Sequence, residues 1–568
     1  MRYAALVVAG LLAAWGTHAQ TSVDYSLKPL LDAQGTLTAV QFEMRFKAAQ
    51  AQTEVDLPEA WGGGRDFYKL FKDIEIDGAT TVVTPPDQPA HRLITAAPGA
   101  EITVRYHVDA NRKAGEEAPI DSDMTYPVIG PERFYILGQQ VWPGVVSGGP
   151  LPATFHTDMP DGWTFASDLQ DLEAIHGTDN DISQSVMMGG RDVHIDSVTT
   201  PHTRLRIASA GKFDFPLSDF DAKVAKIIET EQDFWGDGQP AFLVTLAPIE
   251  SAPGRSSMRG TGQGDAFAMM TVPDMPVDRI AVTLSHEYFH SWNPFKLGGA
   301  MPDSEEATGY WFSEGFTDYY GRKLALRAGV VGLKAFVAEW NEALGRYAAS
   351  PHRTAPNADV RDRFWSDEDW QKMPYDRGSI LAALFDREWH DKGMTLDRFM
   401  LALRDRAVAD PDFGKKIMVE RAAAVSAALG VPVADELTRH IDNGEAIHLP
   451  ADAFGGCLKV IDEEAYDFYT GYDVDKTIAS GVFTGVDPDS NAYKAGIREG
   501  MKRLDRLSGD PADSTVPLSF RVADADGHES VISYLPQGKV HHPRQRLVIP
   551  DGLDAAALDA CTAAVAAY

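Results

Sequence analysis

The run His286-Glu287-Tyr288-Phe289-His290 constrains this chain more than any other feature of its sequence. Two histidines four residues apart lie on one face of a helix, so both imidazoles can reach the same metal ion. A glutamate beside the first histidine can take a proton from water that the metal polarises. The run therefore predicts a helix that binds zinc through His286 and His290, with Glu287 as the catalytic base. The alternative is a helix with two incidental histidines.

A third zinc ligand is expected downstream, because a catalytic zinc takes three protein ligands and leaves one position for water. The best candidate is Glu314, in the segment WFSEGFTDYY (residues 311–320), which opens a second predicted helix that ends near Gly329. Asp318 lies one turn after Glu314, where it can accept a hydrogen bond from the outer ring nitrogen of His286. The alternatives are a glutamate favoured by the helix dipole and a solvated aspartate.

Charge and length limit the possible partners. The chain has 568 residues, too many for one hydrophobic core, so several domains are expected. Its 52 Lys and Arg against 83 Asp and Glu give a net charge of −31. This charge repels phosphate backbones, and it argues against nucleic acid as a partner. Oligomeric state is not indicated by any pattern.

The first 19 residues have the pattern of a signal peptide. Arg2 precedes an apolar stretch over residues 4–14, and Thr17-His18-Ala19 offers a small-x-small cleavage site. The apolar stretch is too short to span a membrane, and no later stretch approaches the roughly 20 apolar residues that a span needs. These features predict a periplasmic or secreted protein without a membrane span.

The chain contains two cysteines, Cys457 and Cys561. Export to an oxidising compartment favours a disulfide between them, and two separate buried thiols are the alternative. Their spacing does not match any zinc-binding pattern.

Hydrophobic periodicity divides the chain into regions. Residues 20–198 show strand-like alternation, for example at Val40, Phe42 and Met44, which predicts a β-sandwich-like domain. Residues 199–450 begin with mixed signals and become helical from Ile280, so a helical lobe is expected there. Residues 457–568 return to short strands and turns, typical of a separate small domain. The fold class is therefore a multidomain α+β protein.

Two segments carry a family resemblance. HEYFHSWN (residues 286–293), followed by WFSEGFTDYY, resembles the glycyl aminopeptidase family of zinc metallopeptidases, which belongs to the thermolysin-like clan. The resemblance implies a Zn²⁺ peptidase in which Glu314 completes the metal site. It also implies an N-terminal β domain (20–198), a thermolysin-like catalytic domain with a helical lobe (199–450) and a C-terminal PDZ domain (457–568).

A third segment, Pro374-Tyr375-Asp376-Arg377-Gly378, resembles the Tyr-x-Lys-Gly motif of this family, with arginine in place of lysine. The resemblance implies that the Tyr375 hydroxyl donates to the oxyanion formed during hydrolysis, a charge that needs a fixed donor. The alternative is an ordinary aromatic residue at the start of a helix.

The chain departs from the family at one place. The family's Gly-Gly-x-Glu-His segment, whose Glu suits a substrate's amino group, corresponds here to residues 259–267. The candidate substrate-binding residues in it are Gly262, Gln263, Gly264 and Asp265. The glutamate is missing; Asp265 or Gln263 is the available substitute. Aminopeptidase and endopeptidase action therefore both stay open.

Residues 486–500 resemble the PDZ pattern in which a strand leads to a short helix and a glycine turn. A PDZ domain binds peptide termini by strand addition. A degenerate PDZ fold that only packs against the catalytic domain is the alternative.

The function expected from the sequence is zinc-dependent hydrolysis of peptide bonds by metal-activated water, as an aminopeptidase acting on short peptides. The alternatives are a periplasmic peptide-binding protein with a structural zinc site, a zinc endopeptidase and a zinc hydrolase of non-peptide substrates. A structural zinc needs no base and closes its fourth position, so Glu287 argues against the first of these.

Overall fold

The computed structural model describes residues 22–112, 125–249, 258–297, 306–509 and 513–568. The predicted signal peptide lies outside these residues. Contacts divide the chain into two compact units. The first comprises Met1–Ile195, Ala208–Gly211 and Gln263–Ala266, and the second comprises the remainder. Among the described residues, every helix is too short or too polar to cross a membrane.

The first unit is rich in β-strands. Its strands are β1 (Val23–Leu31), β2 (Leu37–Lys47), β3 (Gln52–Asp56), β4 (Ala60–Trp61), β5 (Gly64–Arg65), β6 (Phe71–Asp77), β7 (Thr81–Val83), β8 (His91–Thr95), β9 (Glu101–Asp109), β10 (Val128–Ile129), β11 (Arg133–Leu137), β12 (Gly144–Val145), β13 (Ala153–Thr157), β14 (Thr164–Ser167) and β15 (Val186–Gly190). Short helices α1 (Gly138–Val141) and α2 (Asp179–Ser183) and 3₁₀ turns at Phe67–Leu70 and Asp168–Asp171 interrupt them.

These strands form three larger sheets around one apolar core. The sheet orders are β13-β1-β2-β9-β6, β12-β3-β8-β7 and β10-β11-β15-β14. The alternation predicted from Val40, Phe42 and Met44 appears in β2, whose register against β9 pairs Phe42 with Tyr106. Side chains from all three sheets belong to the same buried cluster. The predicted β-rich N-terminal region is confirmed.

A five-stranded sheet follows along the chain, in the order β16-β17-β18-β20-β19, and most of its residues belong to the second unit. Its strands are β16 (His194–Thr199), β17 (Arg204–Ser209), β18 (Ala241–Pro248), β19 (Met258–Gln263) and β20 (Ala266–Thr271). The strand β19 lies at one edge of this sheet. Helix α3 (Leu217–Trp235) connects β17 to β18 in the chain and packs against helix α4 (Val277–Phe289).

Helices dominate the next part of the second unit, as the sequence predicts. They are α5 (Tyr310–Ser313), α6 (Gly315–Arg327), α7 (Leu333–Ala349), α8 (Asn357–Arg363), α9 (Glu368–His390), α10 (Leu396–Ala409), α11 (Pro411–Gly414), α12 (Met418–Ala428) and α13 (Ala434–Leu437), with 3₁₀ turns at Phe295–Leu297 and Glu306–Gly309 and a π turn at Thr438–Asp442. Helix α6 packs against both α4 and α9.

Two helix starts differ from the sequence expectation. Aspartate is a favoured N-cap residue, which predicts that the histidine helix starts after Asp278, but α4 begins at Val277 after Pro276, so Asp278 lies in its first turn. Proline is common in the first turn of a helix, which predicts a helix that opens at Pro374. Helix α9 begins earlier, at Glu368, because the side chain of Asp367 accepts a hydrogen bond from the Trp370 N–H at 3.0 Å. Pro374 therefore lies inside α9.

The last part of the second unit contains β21 (Lys459–Phe468), α14 (Val474–Ser480), α15 (Asn491–Ala495), β22 (Lys502–Ser508), β23 (Leu518–Ala523), β24 (Glu529–Tyr534), β25 (Gln537–Val548) and α16 (Ala555–Ala567). Strands β21 and β25 pair antiparallel, and β22-β23-β24 form a separate sheet. A disulfide joins Cys457 to Cys561, with their Cα atoms 5.4 Å apart.

Candidate active site

Helix α4 carries His286 in its last turn, and His290 directly follows its last residue as the C-cap. Its buried positions, among them Ile280, Leu284 and Tyr288, recur at helical spacing and fix one face against the protein interior. The Tyr288 hydroxyl donates to Gln239 Oε1 at 2.9 Å and accepts from Gln232 Nε2 at 2.7 Å, which ties this face to α3. Because this face of α4 is packed against the interior, the His286 side chain points away from it.

Both histidines have an oxygen atom of the protein close to Nδ1. The Nδ1 of His286 lies 2.8 Å from Oδ1 of Asp318, and the Nδ1 of His290 lies 2.8 Å from the carbonyl oxygen of Asn293. Acceptors at Nδ1 favour the tautomer that leaves Nε2 with a free lone pair. Each imidazole therefore presents Nε2 to the same point.

Glu314 supplies the third donor atom at that point. Its Oε2 lies 3.3 Å from Nε2 of His290 and 3.5 Å from Nε2 of His286, and the two nitrogens are 3.1 Å apart. A tetrahedral ion with bonds of about 2.0–2.1 Å separates its ligand atoms by about 3.3 Å. The three atoms therefore fit the ligand triangle of a tetrahedral zinc, with one position left for another ligand.

The protonation of this cluster reflects close charge pairing. Burial by itself lowers the pKa of His286, but the Asp318 and Glu314 carboxylates, which accept hydrogen bonds from its ring, outweigh burial and raise the pKa to about 10. Burial raises the pKa of Asp318, but the Arg322 guanidinium and His286 hold this pKa well below its usual range. Arg322 donates to Oδ2 of Asp318 at 2.9 Å. Burial likewise raises the pKa of Glu314, but His290 and His286 hold this pKa well below its usual range. Both carboxylates are therefore ionised and available as acceptors or ligands.

Glycines set the distances between the helices that carry the site. Gly321 faces α4, where a Cβ would lie 3.1 Å from the Cα of His286. Gly315 and Gly378 face each other across α6 and α9, and a Cβ on Gly378 would overlap the carbonyl oxygen of Trp311. Helix α9 therefore approaches the helix start that carries Glu314 at backbone contact.

This approach places Tyr375 in the site. The Tyr375 ring stacks on the His286 ring with centroids 6.2 Å apart. Burial and the nearby Glu314 carboxylate raise the pKa of Tyr375 well above its usual value, so its hydroxyl stays a donor. Arg377, the departure from the Tyr-x-Lys-Gly motif, donates instead to the backbone carbonyls of Arg353 and Ala355 at 3.1 and 2.7 Å.

Glu287 projects from α4 next to the histidines and meets the edge strand β19. Its Oε2 accepts a hydrogen bond from the Gly262 N–H at 3.1 Å. Gly262 is one of the predicted substrate-binding residues, and the structure places it beside Glu287.

The other three predicted substrate-binding residues, Gln263, Gly264 and Asp265, belong to the first unit. Gln263 is buried, and its Oε1 accepts from Gln139 Nε2 at 2.7 Å. A Cβ on Gly264 would lie 3.4 Å from the carbonyl oxygen of Gln184. The roles predicted for Gln263, Gly264 and Asp265 stay predictions.

Asn293, the last residue of the HEYFHSWN segment, belongs to the site, although the sequence predicted no role for it. It is fully buried, its carbonyl accepts from His290, and its Nδ2 donates to Thr317 Oγ1 at 3.0 Å and to the Phe312 carbonyl at 3.1 Å. Asn293 thus connects the histidine helix to the segment around Glu314. Arg322 was also missed, although its position four residues after Asp318 is a helical ion-pair spacing.

Another histidine and carboxylate cluster among the described residues contrasts with this geometry. Glu54 and Asp56 both approach the Nδ1 of His91, at 2.6 and 2.8 Å. These are hydrogen-bond separations, shorter than the spacing between ligands of one ion. The Glu54 hydrogen bond raises the pKa of His91, so this cluster is an ion pair.

Comparison with known proteins supports a peptidase. Residues 279–376 match the family model of the M61 glycyl aminopeptidases. This segment contains His286, Glu287, Glu314, Asp318 and Tyr375. A search among curated proteins found no significant match.

One of the solved structures compared with this chain shares its fold. An aminopeptidase N family protein from Idiomarina loihiensis superposes with a TM-score of 0.64 at 16% identity, over 93% of this chain and 98% of that chain. An M1 zinc metallopeptidase from Deinococcus radiodurans aligns with a TM-score of 0.47 at 13% identity, over 76% of this chain and 95% of that chain. The first likeness establishes an aminopeptidase-like α+β fold.

Proposed function

We propose that this chain is a zinc-dependent peptidase, with His286, His290 and Glu314 as zinc ligands. The observation that carries the proposal is the triangle of donor atoms, whose sides of 3.1, 3.3 and 3.5 Å suit a tetrahedral ion. Asp318 holds His286 in the required tautomer from the opposite side of its ring. The family-model match over residues 279–376 supports the same activity.

The catalytic roles follow from the positions of two further side chains. His286, His290 and Glu314 would hold zinc, which would supply a lowered pKa for water and polarisation of the scissile carbonyl. Glu287 accepts the proton of the attacking water and passes it to the leaving amine. The Tyr375 hydroxyl, kept protonated by its buried position, donates to the oxygen on which negative charge develops. The Gly262 N–H orients the Glu287 carboxylate.

We further propose that the substrates are short peptides with a free amino terminus. The description of the matching family model supports aminopeptidase action. The decisive experiment offers the zinc-loaded protein one peptide with a free and with an acetylated amino terminus. Cleavage of the free form only, abolished by a chelator and restored by zinc, supports the proposal. Equal cleavage of both forms makes the protein an endopeptidase, and activity that survives zinc removal overturns the metal role.

The C-terminal segment and the location are also proposals. The segment from Cys457 is proposed as a PDZ-like domain; support comes from α15, where Ser490 caps the helix and Gly496 ends it with a φ of 118°. Export to the periplasm or the medium is supported by the Cys457–Cys561 disulfide, since such bonds persist in oxidising compartments. Binding of carboxyl-terminal peptides to the full chain tests the first, and processing after Ala19 tests the second.

A further inference from the structure

A cavity of about 260 Å³ lies directly beside the proposed reaction centre. Glu314 and Tyr375 form part of its lining, so any group in the cavity lies next to the metal ligand and the oxyanion donor. Such a position next to the scissile bond is where a peptidase distinguishes substrate side chains. The part of the substrate that enters the cavity therefore determines which peptides are cleaved.

One wall of the cavity is aromatic. The Tyr310 and Phe364 rings pack with centroids 4.7 Å apart, and the Trp365 ring stands nearly perpendicular to Phe364 at 4.9 Å. Phe364 belongs to a small buried cluster with Trp370 and Met373, which holds the wall in place. Trp365 is 73% exposed. An exposed tryptophan that lines a cavity provides a ready surface for an aromatic group.

The charged residues of the lining disfavour an acidic occupant most, because two of the three are glutamates. Glu306 and Glu314 bring negative charge to the cavity, and Lys372 brings positive charge, with its Nζ 5.6 Å from the centroid of the Tyr375 ring. An acidic side chain would be repelled by both glutamates, whereas a basic one would be repelled by Lys372 and attracted by the glutamates. A neutral side chain meets neither repulsion.

The size of the cavity excludes a good fit for a small residue. A volume of about 260 Å³ has room for many water molecules, since one water needs only about 10–15 Å³ of such space. A glycine would leave this water in place, whereas an aromatic side chain displaces it and covers the wall. We propose that this pocket selects peptides with an aromatic side chain next to the scissile bond, a specificity that rests on the proposed peptidase function.

Two peptide series test the proposal, Xaa-Ala-Ala and Ala-Xaa-Ala, with Gly, Leu, Phe, Lys or Glu at Xaa. We expect kcat/KM for Phe to exceed that for Gly roughly 10- to 100-fold at one position, from burial of the ring. Trp365→Ala should lower kcat/KM about 3- to 10-fold more for Phe than for Gly, while Trp365→Phe should keep most of the preference. Phe295→Ala is the matched control, since Phe295 is also exposed, at 66%, and lies outside the cavity lining.

The outcomes separate the two proposals. If Gly, Lys or Glu peptides are cleaved at least as fast as the Phe peptide in both series, the aromatic specificity is overturned and the peptidase function is unaffected. Equal loss for Phe and Gly peptides in Trp365→Ala, with Trp365→Phe no better, also overturns it. Failure of the zinc-loaded protein to cleave any peptide of either series overturns the peptidase function itself.

Discussion

The Gly262 N–H donates a hydrogen bond to Oε2 of Glu287 over 3.1 Å, so an edge strand holds the carboxylate proposed as the catalytic base. The carboxylate has a second oxygen for the proton of water. Glu287 belongs to α4, one residue after His286, and its position is therefore fixed by both the helix and the strand.

This relationship gives the most direct test of the base. Glu287→Gln keeps an acceptor for the Gly262 N–H but loses the basic oxygen, so kcat should fall by roughly 10²- to 10⁴-fold. Zinc content, measured by mass spectrometry, should stay at the wild-type value because the ligands are untouched. Near-normal turnover in this variant would remove Glu287 from the base role.

Asp318 should act on metal affinity. Asp318→Asn weakens the acceptor at Nδ1 of His286 and should lower zinc affinity roughly 10- to 100-fold, measured by competition with a chromophoric chelator. Asp278→Asn is the matched control, because Asp278 is a half-exposed carboxylate on α4 that pairs with Lys223. An unchanged zinc affinity in Asp318→Asn would contradict the role given to this pair.

Tyr375 should act on the chemical step. Tyr375→Phe removes the donor but keeps the ring on His286, so kcat should fall roughly 10²- to 10³-fold with little change in KM or in zinc content. Steady-state kinetics on one peptide separate these quantities. A rise in KM alone would place Tyr375 in substrate binding.

Glu231 should limit stability near neutral pH. It is fully buried on α3, with the Ser285 hydroxyl donating to its Oε1 at 2.6 Å, and burial raises its pKa well above the usual value. Because the pKa of Glu231 is higher in the folded chain than the value of about 4.3 in the unfolded chain, this carboxyl contributes stability below about pH 4.3. The contribution is lost as the pH rises through the folded pKa. Glu231→Gln should therefore stabilise the protein by about 1–3 kcal/mol at pH 8.

The comparison for Glu231 is its exposed neighbour on the same helix, Glu229. Glu229→Gln should change the free energy of unfolding little at either pH 5 or pH 8. Denaturant titrations at both pH values provide the measurement. A destabilised Glu231→Gln at pH 8 would mean that the buried carboxyl contributes favourable interactions that an amide cannot replace.

The Cys457–Cys561 disulfide should stabilise the C-terminal segment. It closes a loop with a sequence separation of 104, and the chain-entropy model assigns such a loop about 4–5 kcal/mol. The double variant Cys457→Ser and Cys561→Ser should show a lower Tm, measured with zinc present. An unchanged Tm would show that packing alone holds this segment.

Local pattern predicted the parts of the site that one helix determines. The four-residue spacing of His286 and His290, and the turn between Glu314 and Asp318, bring side chains to one face without reference to the rest of the fold. The β-rich N-terminal region was equally readable, because strand alternation such as that of β2 reports burial directly.

Other parts depend on contacts between distant segments. Asn293 and Glu231 show their importance only when α4 packs against the Glu314 segment and α3. The predicted start of α9 was wrong because a proline such as Pro374 suggests a helix boundary. In the structure the Asp367 cap and the buried residues on both sides of Pro374 outweigh this preference. The aromatic wall of Tyr310, Phe364 and Trp365 combines residues from separate elements that no motif connects.

The facing glycines Gly315 of α6 and Gly378 of α9 matter for any attempt to engineer this protein. A methyl group at Gly378 would act as a wedge between the two helices, because it would overlap the Trp311 carbonyl. Such a methyl group would move the Tyr375 hydroxyl away from Glu314 without altering any of the proposed reactive groups. The spacing between these two side chains therefore depends on the absence of a side chain at Gly378, and screens that vary only the polar residues would overlook it.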